Sequence, residues 1–456
     1  GDPYYLEGGL DFLAEPGQWC LDSNAGMLYY LPRPGEAMDK AEVIAPVLTQ
    51  VVRLEGQPEQ VEFIDHIRFK GLTFSHAEWY FPEGFASNTR LGLYPPPRAE
   101  VAGFVEADIG VPAAVSGQGV RNCSWKDCSF THLGTYGLEL SVGCQHDLIS
   151  RCVFTDMAGG AKLGGGVPTR QSGLLSGDNE ISDCHIFDGG QLFHSAVGIW
   201  LGQTANNRIV HNLIHDFYST AVCMGWTFGY YPSQATNNLF AFNHVHHLGI
   251  RSNGEGPIMS DMGAIYTLGI QPGTRILNNL IHHVAGLRYG GWGIYLDEGS
   301  SSIVAQSNVV YRTTHGAFHL NFGATNALVN NIFAFGRDCQ IDRTQPEKHL
   351  SLVFMRNIVY FDSGKLLIGD WSQPACRVDG NLYWDTRLSS APENFKFGNS
   401  SLKQWQDLGN DVHSLVANPN FHNPSLYDFT LATNSPAFRM AFEPIDLSQV
   451  GIRPKR

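Results

Sequence analysis

The feature that most constrains this chain is a phrase repeated through its middle: an apolar-alternating segment, then Asn or Cys, an apolar pair and a polar turn. HDLISRCVFTDM, NNRIVHNLIHDF and TRILNNLIHHVA are three copies. One equivalent residue per copy gives Cys128, Cys152, Cys184, Asn212, Asn243, Asn279, Asn308, Asn331, Asn357 and Asn381, spaced 23 to 36 residues apart and about 28 on average. A period of 20 to 50 residues signals stacked repeats. The phrases alternate at period two and are rich in Ile, Val and Phe, which suits strands, and no crossover-helix stretch lies between them. Spacing varies while the strand phrases stay constant, so insertions fall in turns. The expected fold class is all-β, a right-handed parallel β-helix with coils stacked about 4.8 Å apart. Asn tolerates left-handed backbone and can bond to the next Asn along the stack, so the ladder reads as structural.

Composition narrows the function classes. Of 456 residues 43% are hydrophobic, enough for a sizeable core, and the net charge of −13 disfavours a general nucleic-acid backbone binder. No apolar run is long enough to span a membrane. Nine cysteines without a C-x-x-C pair read as small buried apolar residues. The chain opens GDPYYLEGGLDF, with neither Met nor a charged-then-apolar leader, which reads as a mature or trimmed piece.

A second strand follows each phrase: YGLELS, GAKLGG, VGIWLG, AVCMGW, GAIYTL, GIYLDE and GAFHLN. Alignment sends Leu138, Ala161, Ile199, Val222, Ile265, Ile294 and Phe318 inward. The row between the inward positions is Glu139, Lys162, Trp200, Cys223, Tyr266, Tyr295 and His319, and the next outward row includes Asp297 and Asn321. Stacked Trp, Tyr and His on an outward face predict an exposed binding surface. Aromatic faces with hydrogen-bonding rims suit a sugar. Glu139, Lys162, Trp200, Tyr266, Tyr295, Glu298, His319 and Asn321 are therefore the expected substrate contacts. Arg288 and Arg343 are placed to approach acidic sugars from the turns.

Residues 1–50 break the pattern and are expected to form a β-rich flanking segment with a hairpin around Ser23–Gly26. Residues 51–385 form the β-helix, and 386–456 a C-terminal cap, because the last coil of a solenoid exposes an unpaired edge. A loop at 78–100 with Trp79, Tyr80, Phe81 and Tyr94 is expected to wall the groove or pin itself to the coil below.

Asp261 and Asp297, on neighbouring coils near the aromatic row, are the expected catalytic pair, spaced for glycosidic-bond hydrolysis. Glu298 reads as a turn residue beside them. The many histidines, among them His215, His246 and His282, read as stacked structural groups; a zinc cluster among those three lacks fixed ligand geometry. No metal or other cofactor is expected, a structural Ca²⁺ being possible but not indicated. Two other classes stay open: a polysaccharide lyase, for which Lys162 is the one cation of the row, and a noncatalytic carbohydrate-binding adhesin.

The stretches GQWCLDSNAGMLYYLPRPGE, DMGAIYTLGIQPGT, YGGWGIYLDEGSSSIVAQSNVVYRTTHGAFH and NSPAFRMAFEPIDLSQVGI resemble bacterial right-handed β-helix glycoside hydrolases, most closely family 141 and more distantly family 120. The resemblance covers nearly the whole chain. It implies hydrolysis of plant cell-wall polysaccharide or oligosaccharide of the xylanase, xylosidase or α-L-fucosidase type. Carried over residue by residue, it places the two aspartates at Asp261 and Asp297, with Asp297 as general acid because its aromatic surroundings favour the protonated form. It also implies secretion or a periplasmic location.

Overall fold

The computed structural model describes residues 8–79, 107–371 and 375–455. The loop residues Tyr80, Phe81 and Tyr94 lie outside these. The chain divides into two compact units, Gly1–Pro46 and Val47–Arg456. In the first, Trp19–Asp22 pairs antiparallel with Met27–Tyr30, and the Asp22 carboxylate accepts the N–H groups of Asn24 and Ala25 to fix the turn between them.

The second unit is an all-β parallel solenoid with three short strands per coil. One sheet stacks eleven strands from Arg68–Lys70 to Cys376–Asp379. A second, the ladder sheet, contains His185–Gly189, Leu213–Phe217, His244–Leu248, Leu280–Val284 and Val309–Thr313 in parallel register. A third, the site sheet, runs through Ile199–Leu201, Val222–Met224, Gly263–Thr267, Trp292–Leu296, Phe318–Leu320 and Cys339–Arg343. The column Leu138, Ala161, Ile199, Val222, Ile265, Ile294 and Phe318 is in register and buried, as period-two alternation requires.

The Asn ladder is continuous. Each backbone N–H from Cys184 to Asn357 donates to the side-chain oxygen of the next Asn at 2.9 to 3.0 Å. The left-handed backbone falls one residue before each ladder residue, on Asp183 before Cys184 and on His211, Phe242, Asn278, Ser307, Asn330 and Arg356 before the Asn residues. The expectation that the Asn itself takes that conformation is corrected. The side-chain bonds anchor the bend so firmly that Phe and Arg are tolerated beside it. A parallel ladder of Asp147, Asn179, Asn207 and Asn238 runs five residues earlier. Asp147 stands there in place of Asn, and burial pushes its carboxyl up to about 8.

At the C-terminal end, Phe395, Phe397 and Trp405 join the main core, the last on the short helix Leu402–Asp407. Buried Asp411 terminates the ladder, accepting from Asn381 at 3.0 Å and from the Trp405 indole at 2.8 Å. The chain then returns along the outside of the turns. Glu443 exchanges two hydrogen bonds with Asn330, Gly451 donates to Phe242, Arg453 grips Asp183 and Lys455 meets Asp127.

Candidate functional site

The outward row of the site sheet has the expected register: Glu139, Lys162, Trp200, Cys223, Tyr266, Tyr295 and His319, extended by Asp342. It is not an open platform. Trp200, Cys223, Tyr266 and Tyr295 are buried in an outer apolar cluster with Ala107, Ile109, Trp226 and Trp292. A strand row can alternate perfectly and still be roofed, because alternation fixes the direction of a side chain and not what lies above it.

The roof changes the standing of several expected contacts. Lys162 is only 2% exposed; its Nζ donates to the carbonyls of Ile109 and Val111 at 3.1 and 2.8 Å and meets Glu139 at 3.3 Å. It pins the 107–112 segment and does not reach a sugar. Glu139, half-buried, serves that pairing, about 19 Å from Tyr266 at four coil spacings. Trp200 is packing. Arg343 is buried on the inward side, in register with Leu320, and donates to the Asp370 carbonyl, so it does not approach ligands from a turn.

At Tyr266 and Tyr295 the row becomes chemical. The rings stack at 4.5 Å between centroids, and their hydroxyls point to carboxyl groups on each other's coil. Tyr266 donates to Asp297 at 2.5 Å, while Tyr295 donates to Asp261 at 3.0 Å. Asp297 lies two residues beyond Tyr295, outside the apolar interior and only 5% exposed; Asn321 Nδ2 donates to its other oxygen at 2.7 Å. Thr344 Oγ1 in turn donates to Asn321 Oδ1 at 3.1 Å. Asp261 precedes its strand with φ of 53°.

Burial and neighbouring charge raise two of the acids. Burial, and then the charge of Asp297, raises the Asp261 carboxyl above the usual range, against hydrogen bonds from Tyr295 and Tyr289. Half-buried Glu298 is raised too, first by burial and then by both aspartates. The Tyr295 hydroxyl is driven upward by burial and by both aspartate charges, so it stays a donor. His319 is buried, its Nδ1 2.8 Å from Asp342, and its ring stacks on Trp292 at 4.2 Å. It faces a carboxylate and an indole; it is not open to ligand.

Asp342 and Trp292 went unnoticed in the sequence. CQIDRT continues the strand series, which would have placed Asp342 beside His319. A small pocket of about 50 Å³ opens beside Asp261, with Tyr266 and Trp226 in its wall. Among the described residues no three His, Cys, Asp or Glu side chains are arranged to hold a metal ion. Instead the imidazoles of the ladder sheet stack and bond to one another, His215 on His246 at 4.6 Å and His246 on His282 at 5.0 Å.

Comparison with known proteins agrees with this architecture. Residues 113–258 match the right-handed β-helix region family. No curated protein matches the chain. Among solved structures, one described as a glycoside hydrolase is 25% identical with a TM-score of 0.59, covering 71% of this chain and 57% of its own; the chain thus spans little more than half that protein's length. PfbA, a surface adhesin of Streptococcus pneumoniae, is 11% identical at a TM-score of 0.45, covering 75% and 74%. An alginate lyase complexed with a trisaccharide is 10% identical at 0.45, covering 90% and 95%. The fold is a right-handed, largely parallel β-helix. None of these comparisons singles out glycoside hydrolase family 141 or 120.

Proposed function

We propose that this chain is a carbohydrate-active enzyme that hydrolyses glycosidic bonds with Asp261 and Asp297. The observation that carries the reading is the crossed pair of tyrosines: two carboxyl groups on neighbouring coils each receive a hydroxyl from the other's strand, and one of them is biased toward its protonated form. Two acids with separated roles are what acetal cleavage requires.

The upward shift of Asp261 supports the reverse of the roles expected from sequence. Asp261, raised by burial and by its neighbour's charge, is the acid that gives its proton to the departing glycosidic oxygen. Asp297, whose oxygens accept from Tyr266 and Asn321, is the carboxylate. It attacks the anomeric carbon or takes the proton of the attacking water. The likeness to a glycoside hydrolase and the sequence resemblance to family 141 support xylan or an α-L-fucosyl glycan of plant cell walls as the substrate, met outside the cytoplasm.

A lyase needs a base that removes a carbon-bound proton and a cation to neutralise a uronate. Here Lys162 is committed to the roof and the Tyr295 hydroxyl is held as a donor. The test is incubation with arabinoxylan, fucosylated xyloglucan and alginate, reading both new reducing ends and the ultraviolet absorbance of unsaturated uronate ends. Hydrolysis gives reducing ends alone from a neutral glycan, lost in Asp297→Asn. Unsaturated product would establish a lyase, and sugar binding without any cleavage an adhesin.

A further inference from the structure

Asp297 opens a polar row that continues along the solenoid past the two aspartates. Leu296, Leu320 and Arg343 are in register on successive strands, so Asp297, Asn321 and Thr344, each one residue later, follow one another from coil to coil. Their side chains are joined, Asn321 Nδ2 donating to Asp297 and Thr344 Oγ1 donating to Asn321 Oδ1. Asp297 is buried, Asn321 half-buried and Thr344 exposed, so the row rises to the surface as it leaves the acid. It covers two coil spacings, about 10 Å, which is room for more than one sugar ring.

The loop after Trp226 runs beside this row. Gly229 N–H donates to the Glu298 carbonyl at 3.2 Å, and a Cβ on Gly299 would lie 2.2 Å from the Gly229 carbonyl oxygen, so the loop and the turn after Asp297 touch at the backbone. The next residue, Tyr230, sets its ring at 66° to that of Phe322, the residue after Asn321, with centroids 5.8 Å apart. Its hydroxyl donates to Glu347, and the His349 ring makes a second edge contact at 6.0 Å. Tyr230 therefore bridges from the Asp297 coil to the segment after Thr344 and is held at both ends. Yet it is 42% exposed. A tyrosine that only tied the loop down would gain by burying its ring, whereas this one is immobilised with much of the ring in solvent. A fixed aromatic ring beside a carboxamide and a hydroxyl suits a pyranose: the sugar's apolar C–H face lies on the ring, and its hydroxyls find the second Asn321 amide hydrogen and the Thr344 oxygen.

We propose that Tyr230, with Asn321 and Thr344, forms an accessory subsite for a neutral pyranose ring of the glycan chain whose scissile bond lies at Asp261 and Asp297, so that the protein selects its substrate by chain length. The inference rests on the glycan-cleaving reading of this site and deepens it, from the bond that is cleaved to the length of chain that is recognised.

The test compares short and long glycans. Calorimetry on Asp297→Asn measures xylobiose against xylohexaose, and 2′-fucosyllactose against a fucosylated xyloglucan nonasaccharide, with and without Tyr230→Ala. In the pair that binds, Tyr230→Ala should weaken the longer glycan about 10-fold and leave the shorter within about twofold. In the otherwise native protein it should raise KM for the longer glycan by a similar factor with kcat nearly unchanged, the mark of binding energy shared by ground and transition states. Tyr230→Phe, which keeps the ring, should restore affinity to within about threefold. Should Tyr230→Ala fail to fold, Tyr230→Leu, which keeps apolar bulk against Phe322, is read in the same way, with its melting temperature as a control. Equal effects on short and long chains, no effect on either, failure of Tyr230→Phe to restore affinity, or no binding of any of these sugars overturns the proposal. Full activity in Asp297→Asn would instead overturn the hydrolytic reading while leaving the chain-length effect on binding visible.

Discussion

Two outward rows of rings run along this solenoid, one on the site sheet and one on the ladder sheet, and they have the same construction. Cys223, Tyr266, Tyr295 and His319 are stacked in register on one; Phe187, His215, His246, His282 and Tyr311 are stacked in register on the other. They differ in where their polar atoms end. On the ladder sheet the nitrogens mostly satisfy one another: His185 meets His215 at 2.8 Å, His244 meets His282 at 2.9 Å, and His282 meets His283 at 2.7 Å, while His215 Nδ1 alone of these lies 2.7 Å from a carboxylate, that of Asp216 beside it in sequence. On the site sheet the hydroxyls end on carboxyl groups that come from beyond the strand ends. A ring stack closed largely on itself supports the coil, whereas one that ends on a pair of acids from neighbouring coils can do chemistry.

The sharpest way to break this contrast is to disable each row in turn. Asp297→Asn should lower kcat by about 10²- to 10⁴-fold with its melting temperature nearly unchanged, as befits loss of a group acting in the transition state. His246→Ala should do the opposite, lowering the melting temperature while kcat/KM stays within about twofold, since surface-remote packing changes act on stability. If His246→Ala abolished turnover with the fold intact, the division between a chemical and a structural row would fail.

Acid separates the rows next. Burial and mutual repulsion lower the imidazoles, His185 and His244 to about 4, His246 to about 3 and His282 to about 2. Below the ordinary histidine range near 6.5 the unfolded chain binds protons that the folded chain refuses, so stability is complete above that range and falls as pH drops toward 4 and below. Melting temperatures from pH 7 to 4 should fall steeply, and His246→Gln should flatten the fall. Asp147 has the inverse sign: raised to about 8, it loses stability between pH 4 and 8. Asp147→Asn should restore the ladder's usual residue and raise the melting temperature increasingly over that interval, measured by calorimetry.

The smallest expected effect is on the pH profile. The Tyr295 hydroxyl restrains the Asp261 carboxyl through its hydrogen bond. In Tyr295→Phe the carboxyl should stay protonated to higher pH, moving the alkaline limb of kcat/KM upward. An unmoved or lowered limb would remove Asp261 from the role of acid.

Much of this architecture was legible because a stack repeats its errors as well as its rules. The Asn at one coil predicts the Asn at the next, and alternation carried the direction of Tyr266, Tyr295 and Asp297 from one strand to its neighbours. What stacking does not encode is contact between residues distant in sequence. Lys162 looked like a groove cation, but its partners are carbonyls of Ile109 and Val111, some fifty residues earlier. The exposed aromatic face was lost for the same reason. The 107–112 segment itself lies outside the repeat, and its seat depends on Tyr136, Lys162 and Ser195 from three different coils. The second ladder was different, since Asp147, Asn179, Asn207 and Asn238 each stand five positions before a residue of the first and the signal was present in the spacing.

The returning tail has a further consequence for how the molecule comes apart. A linear stack can unzip from either end, one nearest-neighbour interface at a time. Here the final residues fasten to Asp127 and Asp183, near the opposite end of the stack, so the last coil cannot peel away while that buckle holds. Cutting the chain after Ala441 would convert a single cooperative melt into stepwise loss from the C-terminal end.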